Sequence, residues 1–393
     1  MERRFWIDVL ERAWRTRSLI WLRGVRRVGK TTLAQSLKDV EYFDCELPRT
    51  RRLMEDPEGF LEGLRGRRVV LDEIHRLANP SELLKIGADH FPDTRILATG
   101  SSTLAATAKF RDALAGRKAD VWLTPILCRE LAGFGHAGLE RRLLRGGLPP
   151  FFLAAQAAAT VYQEWMDAYW AKDVQELFRL ERRQAFLRLL ELVLARSGGI
   201  FEATYYARAC EVSRQTITNY LAALETTMVA HVVRPWSTHR ATEIVSAPKV
   251  YGFDTGFVCV YRGWDALRLE DRGLLWEHVV LNELHARLQA ATVHYWRDKA
   301  GHEVDFVIAR PGAPPIAIEC KWSADGFDAA GLRAFRRHYA EGANYVVAQD
   351  VSRGSTRRLG ELSVHVVSLE GLLDAVAPED RQPPPRRSPA AAK

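Results

Sequence analysis

The sequence predicts an α/β protein: a parallel sheet wrapped by helices at the amino end, a helical middle, and a smaller α/β region toward the carboxyl end. Three observations carry this. Over residues 1–125 short apolar runs alternate with helical patterns, as in strands buried on both faces. From 126 to 200 the periodicity is helical, punctuated by the loop Gly146-Gly147-Leu148-Pro149-Pro150. Beyond a compact helical block at 201–240, short strand-like runs return.

Ser18–Leu22 reads as the first strand and Lys30–Val40 as the helix after it. Arg68–Asp72 and Thr94–Thr99 read as two further buried strands. The apolar run Met228–Val233 closes the 201–240 block. Val250–Asp254 and a long helix at 273–290 follow. Strands are then expected at Val293–Arg297, Val304–Ala309, Ile316–Cys320 and, last, Tyr345–Ala348, with a helix at Ala329–Tyr339 before the last. The stretch from Pro378 to Lys393 is rich in Pro, Ala and Arg and is expected to be disordered.

The chain has 393 residues, 47% hydrophobic and 27% charged, enough for two or three domains with cores of their own. No run of 18 or more apolar residues predicts a membrane span, and Met1–Arg15 lacks the pattern of a signal peptide. Five cysteines stand singly (Cys45, Cys128, Cys210, Cys259, Cys320), which argues against a disulfide framework or a structural zinc site and for the reducing cytoplasm. A net charge of +7 is compatible with a nucleic-acid partner without demonstrating one.

Gly24-Val25-Arg26-Arg27-Val28-Gly29-Lys30-Thr31 fits the phosphate-binding loop G-x-x-x-x-G-K-[ST]. Such a loop wraps phosphates with backbone N–H groups, so it needs glycine for close approach and positive φ. Lys30 would reach the terminal phosphates of ATP, and Thr31, followed by Thr32, would place a hydroxyl on Mg²⁺. The helix starting there turns its positive end to the anion. The strand Arg68–Asp72 ends in two carboxylates. Asp72 would hold Mg²⁺ through water, and Glu73 would orient or deprotonate the attacking water. Their spacing from Lys30 is that of a neighbouring strand. After the third strand come Thr99-Gly100-Ser101-Ser102; a polar side chain such as Ser101 reaches the terminal phosphate or water, or the segment is a plain turn. Arg111 and Arg117 follow, each a candidate arginine finger or a solvated surface group.

The phosphate loop, Leu71-Asp72-Glu73, Thr99-Gly100-Ser101-Ser102 and Ala115-Gly116-Arg117 together resemble the AAA-type ATPases of bacteria and archaea. The closest resemblance is to a subgroup with a C-terminal domain of uncharacterised function. Gly146–Pro149, Pro248–Gly256, Glu277–Glu283 and Glu303–Phe306 extend it over nearly the whole chain. The resemblance implies an ATPase working as a ring or smaller homo-oligomer, with Arg26 or Arg27 touching phosphate or a partner. With the pattern along the chain, the expected boundaries are 1–125 for the P-loop core, 126–200 for a helical lid, 201–240 for a winged-helix-like module, 241–375 for the C-terminal domain and 376–393 for a tail.

Within 201–240, Ala203–Glu225 reads as helix, turn, helix, with Ser213 as N-cap of the second helix. Ile217, Leu221 and Leu224 form its buried stripe, and Arg214, Gln215, Thr218 and Asn219 its outer face. That face suits DNA, and it suits equally a lid or a protein contact.

In the C-terminal region Asp305 lies on one strand, and Glu319 and Lys321 share a face of the next, since strand side chains repeat every two residues. This resembles the D…E-x-K constellation of restriction-endonuclease-like phosphodiesterases. There Asp305 and Glu319 would bind divalent metal, Glu283 would complete the shell and Lys321 would steady the attacking water. Gln349, at the end of the last strand, is a peripheral candidate. A charged strand edge, or a fold retained for binding alone, reads the same residues differently. The leading expectation is an ATP-driven machine acting on DNA. The alternatives are a nucleotide-controlled switch for a protein partner, and an effector that cuts RNA or defends against mobile elements.

Overall fold

The computed structural model describes residues 3–100, 108–136, 138–155, 159–178, 180, 182–237, 247–289 and 291–377. The chain divides into two compact units, 1–290 and 291–393.

The first unit is built on a parallel sheet. Its strands are β1 (Leu19–Arg23), β2 (Glu41–Asp44), β3 (Arg68–Asp72), β4 (Arg95–Thr99) and β5 (Lys118–Trp122), in the order β2-β3-β4-β1-β5. β1 reads Leu-Ile-Trp-Leu because both its faces are covered. Trp21, Leu71, Ile96 and Phe110 share one core cluster. β4 lies between β1 and β3, so Asp72 is not on the strand beside the phosphate loop, as its spacing suggests. The sheet order opens a gap that β4 fills. The sequence also conceals β2 and β5, which are short and half polar, and an opening helix, Arg4–Thr16. The helix after the loop is shorter than expected, Lys30–Gln35.

Helices Leu139–Arg145, Pro149–Leu153 and Ala159–Tyr169 follow, the last running into a π-helical turn, Trp170–Val174. The helix, turn and helix expected within 201–240 form as Ala203–Ala209 and Arg214–Thr226, with the Ser213 hydroxyl accepting from the Thr216 amide at 3.1 Å. Ile217 and Leu224 of the expected stripe are buried, but Leu221 is only half-buried and Tyr220 takes the third buried place; Arg214, Gln215, Thr218 and Asn219 are exposed. The short strand β6 (Gly199–Ile200) and β7 (Ala230–Pro235) both pair antiparallel with β8 (Lys249–Gly252). Helices Thr255–Tyr261 and Leu269–Leu288 complete this unit. Residues 247–289, expected in the C-terminal domain, lie in the first unit, where β8 pairs with β6 and β7 and the helix Thr255–Tyr261 packs on Leu139–Arg145.

The second unit is a mixed sheet with strands β9 (Val293–Arg297), β10 (Glu303–Arg310), β11 (Ala313–Lys321), β12 (Asn344–Ala348), β13 (Ser355–Leu359) and β14 (Leu362–Val367). β9, β10 and β11 pair antiparallel, β11, β12 and β14 parallel, and β13 antiparallel to β14. β12 is thus not the last strand. β13 carries Thr356, Arg357 and Arg358, all exposed, and its edge position hides it from a search for apolar runs. Helices Ala330–His338 and Leu369–Val376 add their apolar faces.

Ile20 is fully buried at the centre of the first sheet. Ile20→Ala is expected to lower stability by about 2–5 kcal/mol, whereas exposed Leu153→Ala should change it by about 0.5 kcal/mol or less. Chemical denaturation of the two variants checks this.

Candidate functional site: a phosphate loop held from outside

The loop between β1 and the helix Lys30–Gln35 borders a cavity of about 420 Å³. Arg26, Arg27, Gly29, Lys30, Thr31 and Thr32 form one side. Glu73, His75 and Gly100 form another, and Pro149, Pro150, Lys172 and Asp173 come from the helical region. Gly24 and Val28 do not line it and act through the backbone. A Cβ on Gly24 would stand 2.5 Å from the Leu123 carbonyl, so only glycine fits. Gly29 (φ 101°) takes a left-handed conformation, as does Arg27 (φ 63°).

Two side chains fix the loop's orientation. The Trp165 indole Nε1 donates to the Arg26 carbonyl at 3.2 Å. The Arg3 guanidinium donates through Nη1 to the Val28 carbonyl at 3.1 Å. In a trans peptide the following N–H points opposite the carbonyl. Holding those two oxygens on the outside therefore turns the amides of Arg27 and Gly29 the other way. Arg3 is buried and also grips Glu130 through two bonds of 2.8 and 2.7 Å and the Thr124 carbonyl at 3.2 Å. Glu130 in turn accepts from the Leu127 amide at 3.0 Å.

Lys30 folds back over the loop, donating to the Gly24 carbonyl at 2.9 Å. Burial holds its ammonium below the usual lysine range, against the opposing pull of Glu73, Asp173 and Asp72. Asp72 is almost fully buried. It accepts from the Tyr42 hydroxyl at 2.7 Å and from the Thr99 hydroxyl, whose oxygen in turn accepts the Glu73 amide at 3.1 Å. Thr99 thus serves Asp72 and Glu73 rather than reaching into the cavity. Burial pushes the Glu73 carboxyl up. Its contact with His75 Nδ1 (3.1 Å) and the charges of Lys30, His75 and Arg26 outweigh that, so it stays below the ordinary glutamate range and ionised. Glu73 also adopts a left-handed backbone (φ 54°), a cost that tends to be kept where a side chain must be aimed. Arg26 pairs with Asp173 at 3.5 Å.

Arg117 lies on the surface against Asp89 at 2.6 Å, and Arg111 is exposed on the helix Ala108–Leu114. Ser101 lies outside the described residues. The chain brings Thr31, Lys30 and Glu73 to one cavity, with Asp72 behind them. It adds four groups the sequence did not single out: Arg3, Tyr42, Trp165 and Asp173. Oxygen donors of the Thr31 and Asp72 kind suit a Mg²⁺ ion, a hard cation; both Asp72 oxygens already hold hydroxyl donors, which suits a hold through water.

In the second unit, Asp305 and Glu319 are one step beyond the Phe306–Ile318 pair of β10 and β11. The Lys321 ammonium lies 2.9 Å from Glu319 and 3.9 Å from Asp305, and Asp305 accepts the Cys320 amide at 2.8 Å. Burial disfavours the Lys321 charge, but the two carboxylates prevail and raise its affinity for the proton. Glu283 does not belong to this unit. It is buried on the helix Leu269–Leu288, where it accepts from the Cys128 amide at 2.6 Å. Among the described residues no group of three or more His, Cys, Asp or Glu side chains is placed to hold a metal. With the Lys321 ammonium seated on Asp305 and Glu319, the pair of carboxylates holds a cation of its own. Gln349 sits in the turn after β12.

A family described as "AAA domain" matches residues 16–132. Two domains of unknown function, DUF8612 and DUF4143, match 136–268 and 272–369. Uncharacterized proteins of Mycobacterium bovis and Mycobacterium tuberculosis are each 31% identical over 326 residues, which is 80% of this chain and 73% of theirs. Among solved structures, a Walker-type ATPase of Pyrococcus abyssi is similar with a TM-score of 0.41 and 16% identity, over 65% of this chain and 94% of that one. A signal-transduction ATPase with numerous domains from Pyrococcus horikoshii gives 0.26 and 11%, over 72% and 45%. Among the described residues no helix is long and apolar enough to cross a membrane.

Arg3→Ala would leave Glu130 charged and buried. It is expected to destabilise the protein by about 3–5 kcal/mol, and the paired replacement Arg3→Met with Glu130→Leu by clearly less. Comparing their denaturation midpoints checks the assignment.

Proposed function

Because this chain carries an AAA domain over residues 16–132 and belongs to one family with its two mycobacterial relatives, we propose that it hydrolyses ATP with Glu73 as general base and uses the cycle to act on DNA. One observation carries the first half: an ionised Glu73 lines the same cavity as Lys30 and a phosphate loop whose amides are turned inward. Gly29 and Arg27 amides would receive phosphate oxygens. Lys30 would leave the Gly24 carbonyl for the terminal phosphates. Mg²⁺, held by Thr31 and through water by Asp72, would neutralise phosphate charge. Glu73 would take the proton of the attacking water, with His75 fixing its carboxylate. Arg117, held at the surface by Asp89, would complete the site of a neighbouring copy in a homo-oligomer.

The DNA half rests on the helix Arg214–Thr226, which presents Arg214, Gln215, Thr218 and Asn219 to solvent on a firmly capped scaffold. Gln215 donates to Asn219 at 3.0 Å, so the two amides present themselves as a pair. The Asp305–Glu319–Lys321 cluster is the candidate cleavage centre of the second unit. With Lys321 seated on both carboxylates, no cleavage step is derived from it. That arrangement favours, as the second reading, a unit that binds without cutting.

Lys30→Ala is expected to abolish ATP turnover without unfolding the protein. Glu73→Gln should keep nucleotide binding and lose about 10²–10⁴-fold in turnover; full turnover in that variant would move the base elsewhere. Since the Glu73 carboxyl is held low, activity should persist as pH falls through the ordinary glutamate pKa of about 4.3 and be lost only below it, wherever the fold survives. ATPase rate with and without duplex DNA tests the partner, and indifference to DNA would count against it. A Mg²⁺- or Mn²⁺-dependent cleavage assay beside Asp305→Ala decides between cutting and binding.

A further inference from the structure

Two sequence signatures have no part in the reading above: Gly146-Gly147-Leu148-Pro149 and the stretch from Pro248 to Gly256. In the fold they are locked together by one buried carboxylate. Asp254 accepts the Gly147 amide at 2.6 Å and the Gly256 amide at 3.0 Å. The fit leaves no slack: a Cβ on Gly146 would come 1.8 Å from Asp254 Oδ1, and one on Gly256 would come 2.4 Å from the Arg145 carbonyl. Buried Arg142 closes the joint, donating to the Ile126 carbonyl at 2.8 Å and to the Thr255 hydroxyl at 3.0 Å.

Both ends of this joint lead to the phosphate loop. The turn held by Asp254 runs directly into Pro149 and Pro150, which wall the cavity; Pro149 Cγ is 3.8 Å from where a Cβ on Gly29 would stand. On the other side, the residues flanking Asp254 carry the aromatic seat of Trp165. Phe253 stacks on its indole (5.0 Å, 19°), and Phe257 meets it edge-on (4.9 Å, 67°). Trp165 is the residue whose N–H holds the Arg26 carbonyl.

We propose that Asp254 and Trp165 are positioning residues of the nucleotide site, forming a clamp by which the helical region shapes the phosphate loop from outside. Neither touches the ligand. Asp254 places the Pro149 wall and the aromatic seat; Trp165 transmits that placement to the Arg26–Arg27 peptide, whose N–H faces the phosphates. The inference rests on the ATP-binding reading and adds which distant residues set its affinity.

The test uses the full-length protein with a fluorescent ATP analogue as probe, measuring its Kd, ATPase kcat at saturating ATP and the melting temperature. Asp254→Asn keeps the shape but sets an amide N–H against one of the two backbone donors. Trp165→Phe keeps the aromatic packing and removes the bond to Arg26. The expected result is a Kd raised about tenfold in each, equivalent to about 1.4 kcal/mol, with kcat at saturation within about twofold of the parent protein. A purely structural part would instead lower the active fraction, reducing kcat and leaving Kd unchanged. Parent-like Kd in both variants overturns the proposal. If Asp254→Asn does not fold, Trp165→Phe alone decides. A parent protein that binds no probe overturns the ATP reading itself, and the clamp falls with it; probe binding that Lys30→Ala abolishes and both clamp variants retain overturns the clamp alone.

Discussion

A phosphate cradle depends on which way a few peptide planes face. A peptide's N–H goes where its carbonyl does not, so a loop that offers amides to an anion must find employment for its oxygens on the other side. Here that employment is supplied by side chains remote in sequence: Arg3 takes the Val28 oxygen and Trp165 the Arg26 oxygen. The rest of the first unit can be understood as the support those two groups require. Arg3 needs Glu130 to be tolerable in the interior. Trp165 needs Phe253, Phe257 and Tyr169 around its ring.

The catalytic side is supported in the same manner. Two hydroxyls, from Tyr42 and Thr99, hold the Asp72 carboxylate. Neutral donors fix the direction of a carboxylate without cancelling its charge, which suits a group meant to meet a hydrated cation. Glu73 is handled differently, with His75 at 3.1 Å and the Lys30 and Arg26 charges nearby. Two adjacent acids on one strand end are thus given unlike surroundings. Environment, more than residue type, separates their tasks.

What the sequence disclosed was local. The loop from Gly24 to Thr31, the strand ending at Asp72 and the capped helix after Ser213 are each written in consecutive residues, where glycine, period and cap chemistry can be recognised. What it concealed was long-range. Arg3 meets Glu130 across 127 positions, Trp165 meets Arg26 across 139, and Asp254 meets Gly147 across 107. An arginine near the amino end or a tryptophan in an amphipathic helix gives no local sign of such a partner. The Gly146–Pro149 and Pro248–Gly256 stretches were visible as signatures, but only the fold shows that they are two halves of one joint. Glu283 is a different case. Its order along the chain fitted the Asp305–Glu319 pattern, yet the helix that carries it is part of the first unit. Edge strands such as β13 escaped because a solvent-facing strand carries no apolar run to notice.

The nucleotide cavity already contains an anion of its own. Asp173, in the π-helical turn Trp170–Val174, answers Arg26 at 3.5 Å and favours the charged form of Lys30. A triphosphate arriving there meets one cation, Arg26, already paired with a carboxylate, and a second, Lys30, already held by the Gly24 carbonyl, so its capture is an exchange of partners more than the filling of a hole. The helical segment that pairs with Arg26 is the one that carries Trp165 and Tyr169, and Tyr169 shares a hydrogen bond of 2.6 Å with Thr227 at the end of the helix Arg214–Thr226. Occupancy of the loop thereby registers as a change in charge balance at the turn that carries Asp173, next along the chain from Tyr169 and its tie to the far end of the helix Arg214–Thr226.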